Sequence, residues 1–148
     1  MGAASAALAT TMGLDCQQLV MLSSPSTLAN RARAFAFKHR LSPGCREVFF
    51  RMVEESHAYK GLELNLCNII KASKAEVFLI HDRDDRHVPW THMSHLQSYV
   101  PHARHWLTTG LGHRKIIRSV EVHLVVADYV ARNRTDEFYD QSRAVPAI

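Results

Sequence analysis

Two stretches of this chain put a residue able to handle a proton directly behind a strand-like run. Val77-Phe78-Leu79-Ile80 leads into His81-Asp82-Arg83-Asp84-Asp85-Arg86-His87-Val88-Pro89, and Trp106-Leu107-Thr108-Thr109 leads into Gly110-Leu111-Gly112-His113-Arg114. An imidazole changes charge near neutral pH and so can accept a proton there. A carboxylate on its other ring nitrogen fixes the tautomer and stabilises the cation that forms. Acyl transfer needs such a base, an orienting acid, and a nucleophile for the base to activate. His113 is the candidate base, because the Gly-x-Gly turn before it allows the sharp bend that presents a ring at the end of a strand. Asp85 is the candidate acid, with Asp82 and Asp84 as rivals for that role. The spacing of 28 from Asp85 to His113 leaves room for one helix and one strand.

The elements that must position these residues are legible in order. Residues 3–12 are Ala-rich and read as a helix, with Gly13 suited to its C-terminal cap. Gln18-Leu19-Val20-Met21-Leu22 reads as a buried strand ended by Ser23-Ser24-Pro25. A basic amphipathic helix is expected over 28–41, a second after Ser42-Pro43 over 44–57, and a short one near 64–71. Two strand–helix units come next: strand 77–81 with helix 90–99, then strand 104–108 with helix 114–132. The last helix is expected to carry Ile116, Ile117, Val120, His123, Leu124, Ala127 and Val130 as its stripe. Alternating strands and helices imply an α/β fold, a short parallel sheet flanked by helices on both faces, with a helical insertion over about 25–72. Residues 1–132 form the expected domain, and 133–148 a flexible tail.

The acid-then-His order resembles the α/β-hydrolase fold of esterases, lipases and thioesterases, in which the last two triad members come after successive strands. Residues 81–89 match the His-Gly-x-x-Asp-x-x-Val-Pro pattern of that family, with Asp85 at the Asp position. Position 82 departs from it, being Asp where the pattern usually has Gly; Asp tolerates left-handed backbone, so the turn can survive. Met1-Gly2-Ala3-Ala4-Ser5 resembles the residues just after the nucleophilic Ser in the family's Gly-x-Ser-x-Gly elbow. The resemblance therefore covers the C-terminal half of the fold, resembling a truncated α/β-hydrolase, with 25–72 where the family carries its cap. It implies a serine hydrolase of carboxylic esters or thioesters in which Ser attacks, His113 moves the proton and Asp85 holds His113. The nucleophile would lie one residue before Met1, and the Met1 backbone N–H would serve the oxyanion hole given such an elbow. The chain as given is then expected to be inactive alone.

Composition narrows the alternatives. A hydrophobic fraction of 47% with 22% charged residues is that of an ordinary globular domain. The net charge of +4 is not gathered with aromatics into a stacking surface, which argues against nucleic acid. No apolar run approaches the length of a membrane span, and residues 3–9 make a poor signal peptide. Cys16, Cys45 and Cys67 show no metal-finger or disulfide spacing, which suits buried thiols in a reducing, cytoplasmic setting. No cofactor is expected. The partner implied by the resemblance is a small acyl ester or thioester. Two further readings stand beside the hydrolase. A non-catalytic fragment would dimerise, or bind a partner, through the open edge of strand 18–22. A metal module would use some of the ten histidines, with His92, His95, His102 and His105 the nearest to a cluster. Ser23-Ser24 could replace the missing nucleophile, but no Gly-x-Ser-x-Gly turn surrounds them.

Overall fold

The computed structural model describes residues 2–56 and 65–132. The elements run α1 (Gly2–Thr11), β1 (Gln18–Leu22), α2 (Leu28–Lys38), α3 (Pro43–Ser56), α4 (Leu66–Ala72), β2 (Glu76–Asp82), α5 (Thr91–Tyr99), β3 (Arg104–Thr108), α6 (Gly112–Lys115), a 3-10 turn (Ile116–Arg118) and α7 (Val120–Arg132). The three strands form one parallel sheet in the order β1-β2-β3. Leu22 lies beside Ile80, Ile80 beside Trp106, and Asp82 beside Thr108. The strands therefore end together, and the loops behind them meet at one edge.

A central strand covered on both faces must be apolar on both, which is why residues 77–80 read as a continuous run. Every residue of β2 after Glu76 is buried. Its side chains alternate as the pleat requires. Val77 and Leu79 join Leu19 and Met21 in a core with Ala7, Leu66, Cys67, Ile70, Met93 and Leu96, drawn from α1, α4 and α5. Phe78 and Ile80 face the other way, onto Ile116, Val122 and Tyr129 of the 3-10 turn and α7. The α/β layering expected from the sequence is present.

Three local expectations are corrected. The helix expected to run unbroken over 114–132 is interrupted at Ser119, whose backbone is extended and whose hydroxyl accepts from the Val122 N–H at 3.4 Å. A serine side chain competes for helix N–H groups in this way and restarts the helix. The restart re-phases α7, so Val122, Val125, Val126 and Tyr129 face the sheet, while Val120 (71% exposed) and Leu124 (66% exposed) face solvent. Of the insertion expected over 25–72, α4 is built into the core on the sheet. The excursion closes at an isolated antiparallel bridge between Thr27 and Asn65, beside a Leu66 N–H to Ser26 carbonyl bond of 3.0 Å. Of the three thiols expected to be buried, Cys67 is; Cys16 is half-buried and Cys45 exposed. The tail expected from residue 133 lies outside the described residues.

Because Ile80 sits at the centre of the sheet and is 1% exposed, Ile80→Ala should lower unfolding free energy by about 2–5 kcal/mol, measured by urea denaturation. A loss under about 1 kcal/mol would show that this face is loosely packed.

Candidate active site

The loops behind β2 and β3 bring Asp85 and His113 together. His113 Nδ1 lies 2.7 Å from Asp85 Oδ2. A carboxylate can only accept, so Nδ1 carries the proton and Nε2 is left as the basic nitrogen. The His113 side chain is one-third exposed, whereas that of Asp85 is fully buried. The other carboxylate oxygen, Oδ1, accepts from the backbone N–H groups of His87 and Val88, both at 2.8 Å. Asp85 is thus pinned by backbone on one oxygen and offers the second to the imidazole. Beneath it, His81 Nε2 donates to the Val88 carbonyl at 2.8 Å and approaches Asp85 Oδ2 at 3.5 Å. Burial by itself raises the Asp85 carboxyl, but the Val88 N–H, the His113 ring and the His87 N–H outweigh it and hold the group below its ordinary 3.8.

The rival acids have other work. Asp82 is fully buried at the end of β2. Its Oδ1 accepts from the N–H groups of Gly112 (2.8 Å) and Asp84 (2.9 Å). Its Oδ2 accepts from the Thr108 hydroxyl (2.7 Å) and the Leu111 N–H (3.1 Å). Asp84 accepts from the Gly110 N–H at 2.8 Å. Both carboxylates therefore fasten the loop that carries His113 instead of touching its ring. The left-handed backbone that Asp82 would tolerate is not used there; in the His113 loop, positive φ falls on Gly110 (85°) and Gly112 (60°). Glycine suits both positions for that reason. Burial raises the Asp82 carboxyl, and its four donors, the Thr108 hydroxyl foremost, more than offset this, leaving it lowered.

The structure also assembles a pair that sequence reading missed. Ser26 Oγ lies 2.9 Å from His92 Nδ1, and the Ser26 N–H donates to the same nitrogen at 3.2 Å. An amide can only donate, so this Nδ1 bears no proton. Burial, then the nearby His81, Arg31 and His95, lower the His92 ring below its ordinary 6.5, against a small opposing pull from Asp85. Ser26, Asn30, Thr91, His92 and His95 line an open cavity of about 470 Å³. The only sequence signal for the pair was a Ser beyond a strand end, which is too common to select.

Ser23 and Ser24, weighed as replacement nucleophiles, are both buried. Ser23 adopts a positive φ of 46° and its hydroxyl has no partner among the described residues. The Ser24 hydroxyl turns to the Pro25 carbonyl at 3.3 Å. Neither is bonded to His113 among the described residues. Met1, expected to furnish an oxyanion donor, lies outside those residues. Among them, no group of three or more His, Cys, Asp or Glu side chains is placed to hold a metal ion. His95 instead faces the Cys67 thiol at 3.7 Å, and His105 meets Gln97 at 2.8 Å. Among the described residues, no helix is long and apolar enough to cross a membrane.

A parallel sheet with acid and His on successive strand ends defines the α/β-hydrolase class of fold, and solved structures bear this out. The chain is similar to a carboxylesterase of the thaumarchaeon Nitrososphaera gargenis, at 18% identity and a TM-score of 0.60, over 92% of this chain and 64% of that one. It is similar to an acylaminoacyl peptidase of Pyrococcus horikoshii, at 14% identity and a TM-score of 0.61, over 94% of this chain and 24% of that one. It also matches an α/β-hydrolase enzyme from a Medee basin deep-sea metagenome, at 14% identity and a TM-score of 0.51, over 95% of this chain and 64% of that one. No protein-family model matches the chain, and no curated protein does. The chain has the fold of a truncated α/β-hydrolase, spanning between 24% and 64% of the length of these three structures.

Asp82→Gly, which restores the residue usual in the pattern, removes four acceptor contacts at a buried point and should cost about 3 kcal/mol or more. Urea denaturation measures this; a neutral result would mean that the His113 loop is held by other contacts. Acid should act in two steps. His92, lowered from 6.5, favours the folded state above that value, and the contribution is lost as pH falls below it. Asp82 and Asp85, lowered from 3.8, favour folding above 3.8, and that contribution is lost as pH falls through their folded values. His92→Gln should remove the upper step alone from a plot of unfolding free energy against pH.

Proposed function

We propose that this chain carries the acid–base part of a serine-hydrolase site acting on carboxylic esters or thioesters. The observation that supports the reading is the 2.7 Å contact of His113 Nδ1 with a buried, backbone-anchored Asp85 carboxylate. In the complete site a serine hydroxyl attacks the acyl carbon and His113 Nε2 takes its proton. Asp85 stabilises the imidazolium, which then protonates the departing alkoxide or thiolate. Water repeats the sequence to release the acid. No serine among the described residues is bonded to His113, so the chain alone is expected to be inactive.

A fluorogenic or chromogenic acetate ester tests this. Turnover by the purified chain should not exceed that of an equimolar amount of free imidazole, and no burst of acyl-enzyme should precede it. A stoichiometric burst that vanishes in His113→Ala would overturn the inactivity of the isolated chain while supporting the role of His113.

A second reading, a non-catalytic fragment that pairs with itself or a partner, draws on β1. Among the described residues this strand is bonded to β2 and to no strand on its other side. An open strand edge is a template for pairing. Light scattering after size exclusion separates the readings: a monomer over the full range of concentrations counts against pairing.

A further inference from the structure

Both ends of the excursion that leaves at Thr27 and returns at Asn65 are fastened beside one residue, Ser26. Thr27 caps α2, its hydroxyl accepting the Asn30 N–H at 3.1 Å, and Asn65 caps α4, its side chain accepting the Cys67 N–H at 3.0 Å. The two caps form the antiparallel bridge, and the Ser26 carbonyl accepts the Leu66 N–H at 3.0 Å. Ser26 is in turn held on α5. Its N–H donates to His92 Nδ1 at 3.2 Å, and its hydroxyl lies 2.9 Å from the same nitrogen.

This junction depends on the charge of one ring. The Ser26 amide bonds His92 only while Nδ1 offers a lone pair and the ring proton sits on Nε2. A proton added at Nδ1 sets two donors against each other. The Ser26 hydroxyl can turn and accept, but the amide cannot. Ser26 is 1% exposed, which keeps bulk water from taking the acceptor's place, and a buried N–H left without a partner is costly. The surroundings also disfavour a cation. Burial opposes it most, followed by His81 of β2, Arg31 of α2 and His95 of α5, while Asp85 of the loop behind β2 favours it. Cys67 of α4, 3.7 Å from His95 Nδ1, adds no negative charge, since burial pushes its thiol up. The ring also borders water, lining an open cavity of about 470 Å³ with Asn30, Thr91 and His95.

We propose that His92 is a proton-operated latch at the base of the excursion. One proton from solvent, taken up at Nδ1, turns the ring away from Ser26 into the cavity. The Thr27–Asn65 bridge and the first turns of α2 and α4 then loosen while the sheet stays folded. Protonation of a histidine at a two-state contact acts in this way in pH-sensitive proteins. The effect reaches the acid–base pair through Arg31, one turn along α2 from Thr27, which donates to the His87 carbonyl. The His87 N–H holds Asp85 Oδ1 at 2.8 Å, and the His87 ring lies 5.4 Å from that of His113. The latch needs no catalysis and stands apart from the hydrolase reading.

Amide hydrogen exchange of the full chain, followed residue by residue by NMR, tests this. Rates would be measured from about pH 7.5 to about pH 5.5 and corrected for the intrinsic pH dependence of exchange. Below 6.5, the protection of Ser26 and Leu66 should fall by up to about tenfold per pH unit, the limit for one proton. At each pH it should lie at least about tenfold below that of Leu79 and Ile80 in the central strand, as a local opening requires. In His92→Gln the carboxamide oxygen accepts the Ser26 N–H at every pH, so protection should remain and its dependence on pH should vanish. In the unaltered chain, long-range proton–nitrogen spectra should show the His92 proton on Nε2 at neutral pH, and imidazolium where protection falls. The proposal is overturned if Ser26 and Leu66 are as protected as β2, if their protection does not change with pH, if the slope persists in His92→Gln, or if neutral His92 carries its proton on Nδ1.

Discussion

One buried carboxylate organises the functional edge of this molecule. Asp82 takes four donors, two from the loop behind β3, one from β3 itself and one from its own loop. An ionised group out of water is stable only when its lone pairs are filled, so the backbone at Leu111 and Gly112 has to come to it. His113 is the next residue along the chain, and its ring reaches Asp85 from that fixed point. The position where the pattern it resembles usually has Gly holds here the clamp that sets the geometry of the candidate base.

The sheet supplies the rigid floor. Parallel strands in register place all three C-terminal ends at one edge, and residues on alternating faces of β2 tie that edge into two cores. The Asp85–His113 pair needs little beyond these supports. Backbone N–H groups fill one Asp85 oxygen, and His81 packs beneath while bonded to Val88. The acid–base arrangement is therefore preorganised within the described residues, although no serine there is bonded to His113. Preorganisation of this kind is what allows a general base to act without rearranging as the reaction proceeds.

The outer surfaces are of a different character. Apolar side chains lie open on α7 and on the α2–α3 hairpin, and among the described residues the sheet has an open edge along β1. The similar solved structures are longer than this chain. The two apolar surfaces differ in their charge. Residues 28–41 hold four basic residues and no Asp or Glu, whereas α3 (Arg46 and Arg51 with Glu47, Glu54 and Glu55) and α7 (Arg132 with Glu121 and Asp128) mix the two signs.

The sequence by itself determined the element order, the parallel α/β class, and the choice of His113 as candidate base with Asp85, Asp82 and Asp84 as candidate acids. Those rest on local signals: apolar runs of strand length, Pro and Gly punctuation, and a Gly-x-Gly turn whose positive φ angles appear where the glycines stand. Only the tertiary structure decided which of three nearby acids meets the base, because Asp82, Asp84 and Asp85 are chemically alike and differ only in what the fold brings within reach. It also decided the phase of α7. Ser119 was one polar residue in an apolar pattern, and its cap rotated the helix so that the stripe read from sequence faces solvent from Val120 on, while Ile116 before it stays in the core. The Ser26–His92 pair, from residues 66 positions apart, had no local signal specific enough to select it. Local propensity acts within a few residues; contacts across the fold are set by how packed layers bring distant loops together.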